Sequence, residues 1–193
     1  MSTSTSADPD LPPSTNPSSR PLDRDSRRHV HSGRNVSIVP VRESELPKLA
    51  RIYMNAYRGM EQYGEPSLDK AARYLRQLYR SCPHGFFKAR IGGKTAGFIA
   101  CDPDWVEPGS GKVMEVHELV ADPQWQGFGV GGRLLRFAID YGRVLGRRTL
   151  SLWAGEGNVK ALSWYRKKFG FVSDRQGGVW VHLHRRIEAP GYA

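Results

Sequence analysis

Apolar and polar residues alternate along Asn35-Val36-Ser37-Ile38-Val39-Pro40-Val41, the period of a strand. The period then lengthens. Leu46, Leu49, Ala50, Ile52, Tyr53 and Ala56 recur at helical spacing after Glu43 and Ser44, either of which can open a helix. A second helix is predicted after Pro66 and a Ser67 cap, with Ala71, Tyr74, Leu75 and Leu78 on one face. Residues 86–91 and 95–100 flank Gly92-Gly93 and predict a hairpin. Residues 114–121 predict a central strand. Residues 130–145 predict a helix stopped by Gly146, and 149–153 a strand. Residues 158–168 predict the last helix, and 171–172 and 179–183 the last two strands. The order β-α-α-β-β-β-α-β-α-β-β describes a mixed α/β domain.

Composition adds boundaries. Residues 1–34 are rich in Ser, Pro and charge and poor in apolar side chains. Such a segment cannot repay its ordering entropy, so a disordered tail is expected, followed by one domain over 35–193. No apolar run reaches membrane-spanning length, and the N-terminus lacks the basic-then-apolar order of a secretory signal. Cys82 and Cys101 are the only cysteines. Two isolated cysteines and scattered histidines suggest neither a disulfide framework nor a zinc site, so a reducing cytoplasm and no metal are expected. The formal net charge is +10, of which the tail supplies +1. That surplus suits a polyanionic ligand, an acidic partner or a merely solvated basic surface. No helix gathers its arginines on one face among aromatics, which argues against nucleic acid.

The most informative stretch is Gln124-Trp125-Gln126-Gly127-Phe128-Gly129-Val130-Gly131-Gly132-Arg133. It lies between a predicted strand and a predicted helix. Glycines there let the backbone approach a ligand, and the helix behind them presents unpaired N–H groups and a positive dipole end. A pyrophosphate cradle is built this way. The Walker pattern fails, because Gly131 is followed by Gly132 and Arg133. The dinucleotide spacing is met by Gly127, Gly129 and Gly132, but the next strand does not end in a ribose-binding acid.

The spacing from Gln126 to Gly131 also resembles Q/R-x-x-G-x-G/A, the acetyl-CoA loop of the GNAT superfamily of acyltransferases. Downstream, Asn158, Ala161 and Tyr165 match N-x-x-A-x-x-x-Y, and Gly170-Phe171 supply the closing Gly-Phe one residue late. The resemblance is sharp over about 113–175, looser over 35–112, and does not extend into 1–34. It implies a mostly antiparallel sheet flanked by helices, splayed between strands four and five, with the cofactor in the gap. It implies transfer of an acetyl group from acetyl-CoA, a co-substrate, to a primary amine within a ternary complex, without metal. A binding module for acyl-CoA without turnover is the alternative. The sequence leaves a homodimer open.

The resemblance also suggests roles. Backbone N–H groups of Gly127, Phe128, Gly129, Val130, Gly131, Gly132 and Arg133 would hold the pyrophosphate, and Gln126 would brace it. Leu119, Val120 and Ala121 would pair with the pantetheine arm, with Asn158 nearby. Arg133 could add a charge-assisted bond, whereas Arg136 reads better as a solvated helix face. Tyr165 would protonate the leaving thiolate, its ordinary pKa lying near that of an alkyl thiol. For the base, the strand Met114-Glu115-Val116-His117-Glu118-Leu119 carries three polar residues where both faces should be buried. Strict alternation sets Glu115 and His117 opposite Glu118, unless the bulge common in the family intervenes. Glu118 is the first choice, His117 the second, and Glu115 reads best as a cross-strand partner for an arginine. Tyr57, Tyr63, Trp105 and Trp153 are candidates for the acceptor pocket, with Glu61 and Glu65 as carboxylates that attract an amine.

Overall fold

The structure, a computed structural model, describes residues 35–187. The expected disorder of residues 1–34 lies outside the described residues. The elements follow the predicted order: β1 (Val36–Pro40), α1 (Leu46–Ala56), α2 (Leu68–Ser81), β2 (Phe86–Ile91), β3 (Lys94–Glu107), β4 (Gly111–Ala121), α3 (Val130–Val144), β5 (Thr149–Gly155), α4 (Val159–Phe169), β6 (Val172–Gly177) and β7 (Trp180–Arg186). Among the described residues, no helix is long and apolar enough to cross a membrane.

The strands form one sheet in the order β1-β2-β3-β4-β5-β7-β6. Every pair is antiparallel except β4 with β5. That parallel pair is short. It runs from Met114 opposite Leu150 to Val116 opposite Leu152 and then ends. Beyond it Glu118–Ala121 remain paired to β3 alone, and Trp153–Gly155 to β7 alone. The strands therefore part where the sheet would otherwise continue.

Two cores sandwich the sheet. Leu46, Leu49, Ile52 and Tyr53 of α1 and Ala71 and Leu75 of α2 pack with Phe86, Phe98, Ala100 and Val120. Leu134, Leu135 and Ala138 of α3 and Leu162, Tyr165 and Phe169 of α4 pack with Phe87, Ile99, Met114, Val116 and Leu152. Adjacent residues such as Phe86 and Phe87, or Phe98 and Ile99, divide between the two, as the pleat requires. Ser67 caps α2 by accepting from Lys70 N–H at 3.3 Å, and Asn158 caps α4 by accepting from Ala161 N–H at 3.1 Å.

In β4, Ala100 of β3 faces Glu118, but the next residue, Cys101, faces Val116. His117 is the extra residue of a bulge. Its effect is a change of face. Met114 and Val116 point to the α3/α4 side, yet Val120, an even number of residues on, packs with α1 and α2. Strict alternation is thus overturned, and Glu115 and Glu118 share the α1/α2 face.

Candidate active site

A cleft of about 670 Å³ opens where β4 and β5 diverge, within the size range of small-molecule sites. Val116–Ala121 form one wall, and Leu152–Gly155 with Asn158, Ala161 and Tyr165 the other. Its floor is the glycine loop. Gly129 caps α3 at φ 77° and Gly127 turns at φ 84°, both in the left-handed region that favours glycine. Open space lies where a Cβ on either would project. At the head of α3, Arg133 N–H donates to the Gly129 carbonyl at 3.0 Å. The N–H groups of Val130, Gly131 and Gly132 precede that bond at the helix head, and all three residues line the cleft. Trp125 lines it too. Its indole N–H is the one buried side-chain donor among the described residues without a partner.

Most of the predicted cofactor residues meet here: Leu119, Val120, Ala121, Gln126, Gly127, Gly129, Val130, Gly131, Gly132 and Asn158. Phe128 and Arg133 are not among the lining residues. Phe128 packs edge-on to Trp125, with ring centroids 5.5 Å apart. The arginine that lines the cleft is Arg136, one turn further along α3, its guanidinium 6.0 Å from the Phe169 ring. Of the aromatic candidates, Tyr57, Tyr63 and Trp153 line the cleft, whereas Trp105 stands outside it against His117. Glu61 and Glu65 are not part of the lining either. Tyr63 accepts a hydrogen bond from Gly157 N–H at 2.8 Å and meets Trp180 edge-on at 5.4 Å, so the α1–α2 connection closes over the ends of β5 and β7.

Glu118 is 6% exposed and reaches the cleft. Tyr57 donates to its Oε2 at 3.1 Å and Tyr74 to its Oε1 at 2.9 Å. Burial raises its pKa to about 7, and the two tyrosine bonds partly oppose the rise. His117 lines the cleft as well, and burial lowers its pKa. Tyr165 is 9% exposed, and burial, with the nearby Glu118 charge, raises its pKa above the ordinary tyrosine value. The cleft thus joins a carboxylate that ionises near neutrality to a phenol held protonated.

Glu115 departs from expectation. Its hydrogen-bond partner is the Ser151 hydroxyl of β5, not an arginine. The nearby arginine, Arg175, pairs with Glu107 instead. Sequence reasoning did not find Tyr74, whose helical spacing marked it as core and whose hydroxyl nonetheless holds Glu118.

The Acetyltransferase (GNAT) family profile matches residues 46–171. The chain belongs to this family. An uncharacterized N-acetyltransferase of Methanocaldococcus jannaschii is 34% identical over 148 residues, 76% of this chain. The chain spans 65% of that relative's length. An uncharacterized N-acetyltransferase of Archaeoglobus fulgidus is 32% identical over 64% of this chain and 84% of its own. A solved protein of Pyrococcus horikoshii superposes with a TM-score of 0.71 at 35% identity, covering 79% of this chain and 98% of that one. PaiA N-acetyltransferase from Thermoplasma acidophilum, solved with coenzyme A, shares the fold at a TM-score of 0.66 and 17% identity, over 79% and 99% of the two chains.

Proposed function

We propose that this protein transfers an acetyl group from acetyl-CoA to a primary amine, by direct attack within a ternary complex. The observation that carries this reading is the convergence of three parts on one cleft: the glycine-rich head of α3, the buried Glu118 and the buried Tyr165. The residues present fit the cofactor. Helix-head N–H groups and Gln126 suit a pyrophosphate, Arg136 adds positive charge, and the edge of β4 at Leu119–Ala121 suits an amide-bearing arm.

Acetyl-CoA supplies a thioester carbonyl and a thiolate leaving group. Glu118 takes the proton of the incoming ammonium; with a pKa of about 7 its carboxyl is about half ionised at neutral pH, poised to act as a base. Tyr165 gives a proton to the departing sulfur, its raised pKa keeping that proton in place beforehand, and the second proton that the nitrogen sheds as the amide forms restores the phenol. Two groups whose environments fit them for opposite roles make an acid–base pair. His117, neutral at pH 7 and facing the same cleft, is the second candidate for the base. The two free thiols, Cys82 and Cys101, support a reducing compartment.

The test is a panel of amines and peptide N-termini with acetyl-CoA, read as amine-dependent thiol release alongside calorimetric binding of coenzyme A. Binding with turnover supports the reading. Binding without turnover on any amine makes the chain an acyl-CoA-binding module. No binding at millimolar coenzyme A refutes both.

A further inference from the structure

Among the described residues, α1 and α2 build their core against β2, β3 and β4. Beyond β4 in the sheet, β5, β7 and β6 carry a polar cluster outside the acid–base pair. His182 and His184 stand two residues apart on β7, so the pleat places both on one face. The third member comes from β6. Ser173 pairs with Leu183 and Arg175 with His182, which leaves Asp174 as the extra residue of a bulge. The bulge sets the Asp174 carboxylate between the two imidazoles. Its Oδ1 lies 2.6 Å from His182 Nδ1 and its Oδ2 lies 3.4 Å from His184 Nδ1. One donor atom from each of the three residues falls within 4.8 Å of the others.

We propose that Asp174, His182 and His184 form a binding site for a divalent transition metal of the zinc class. The donor set is two imidazole nitrogens and one carboxylate oxygen, with a fourth position toward solvent, since the Asp174 side chain is 39% exposed. Tetrahedral bonds of about 2.0–2.1 Å put neighbouring donors about 3.3 Å apart. The Asp174 Oδ2–His184 Nδ1 pair, 3.4 Å apart, already has that spacing, and a turn of the carboxylate and imidazoles would draw the three donor atoms, all within 4.8 Å of one another, onto one ion.

The surroundings of His182 favour the metal-ready tautomer. Its ring is fully buried, with Nε2 3.0 Å from Glu107 Oε1. An imidazole whose far nitrogen donates to a buried carboxylate presents the lone pair of its near nitrogen to a metal. The competing state has Nε2 accept from Arg175 at 3.3 Å and Nδ1–H donate to Asp174. Glu107 is the closer of the two partners, and it also pairs with the Arg175 guanidinium. Metal binding would displace that Nδ1 proton to solvent. The ion would tie the β6 bulge to β7 beneath Trp153, whose ring lies 4.8 Å from His182 and lines the cleft.

The test uses the full chain, freed of metal by a chelator and titrated with zinc against a chromophoric indicator. One equivalent should bind with a dissociation constant of micromolar or below and raise the melting temperature. Asp174→Asn and His184→Ala change part-exposed side chains and should fold. Each should weaken zinc at least about tenfold. Cobalt(II) in the wild-type chain should show the visible absorption of a four-coordinate ion, lost in both variants. Absence of stoichiometric binding, or affinity unchanged in both variants, overturns the proposal and leaves His182 as a proton-bearing member of an ion-pair network.

Discussion

Glu115 and Glu118 lie three residues apart on β4, and both are nearly inaccessible, 4% and 6% exposed. Burial raises the pKa of each to about 7. The bulge at His117 puts them on the same face. They differ in what lies beside them. Glu118 sits past the end of the β4–β5 pairing, where the strands have parted, and lines the cleft with two tyrosine hydroxyls on its oxygens. Glu115 sits inside the paired stretch, opposite Ser151, and is absent from the lining. A shifted pKa therefore marks burial in both residues, and access to the cleft is what distinguishes the proposed base from a carboxylate enclosed by the sheet.

The sharpest way to break this comparison is to neutralise each carboxylate in turn. Glu118→Gln should lower kcat/KM with the best amine by about 10²–10⁴-fold, the usual worth of a general base. Glu115→Gln should leave it within roughly threefold. Coenzyme A affinity, read by calorimetry, should stay near wild type in both. Equal losses in the two variants would show that Glu118 owes its effect to the fold of β4 and not to the reaction.

The same comparison shows what the chain's pattern could and could not reveal. Element order was legible because strong breaks punctuate it: Gly92-Gly93 turns the β2–β3 hairpin, Ser67 and Asn158 cap helices, and Gly146 follows α3 at φ 72°. The cleft-lining glycines were legible because few other residues tolerate that backbone. The residues themselves did not announce the His117 bulge, since no glycine or proline marks it and only the family resemblance raised one in this strand. The second half of β3 was also hidden. Pro103 between Asp102 and Asp104 reads as a loop, and the strand admits it at an irregularity where pairing shifts from Asp102 to Trp105. β6 lacks any alternation because it is exposed throughout and is held by β7 alone. The choice between Arg133 and Arg136 depended on which turn of α3 meets α4, a tertiary fact. Asp174 joins His182 and His184 only through a bulge on another strand, so counting histidines along the chain could not show them together.

A second, smaller effect concerns stability, where the two glutamates should look alike. Each native pKa lies above the ordinary value of 4.5. Between about 4.5 and 7 the native state holds protons that the unfolded chain releases, so these groups make stability fall as pH rises, and the loss is complete above about 7. The shift from 4.5 to about 7 corresponds to on the order of 3 kcal/mol for each ionised form. Glutamine stands in for the neutral acid and still accepts a hydrogen bond. Both variants should therefore be more stable than wild type at pH 8, by roughly 1–3 kcal/mol in denaturant unfolding, and equal to it near pH 4. Taking the difference from wild type removes the opposite trend of Glu45 and Asp174, whose pKa values are lowered. A gain at pH 8 in only one variant would mean the other carboxylate is not carrying a buried charge.

The finest test moves each pKa without removing its carboxylate. Tyr57 and Tyr74 donate to Glu118, and those bonds favour its ionised form. Tyr57→Phe removes one donor and keeps the ring, so the Glu118 pKa should rise by roughly half to one unit. The base then ionises later, and the acidic limb of the pH–rate profile should move to higher pH by that amount. Ser151→Ala acts on the other glutamate. It removes the hydroxyl that favours ionised Glu115, so the Glu115 pKa should also rise. Its consequence should appear in the pH dependence of unfolding and not in the pH–rate profile, since Glu115 does not face the cleft. A displaced acidic limb in Ser151→Ala, or an unmoved one in Tyr57→Phe, would transfer the role of base from Glu118 to the other end of the polar strand or to His117 between them.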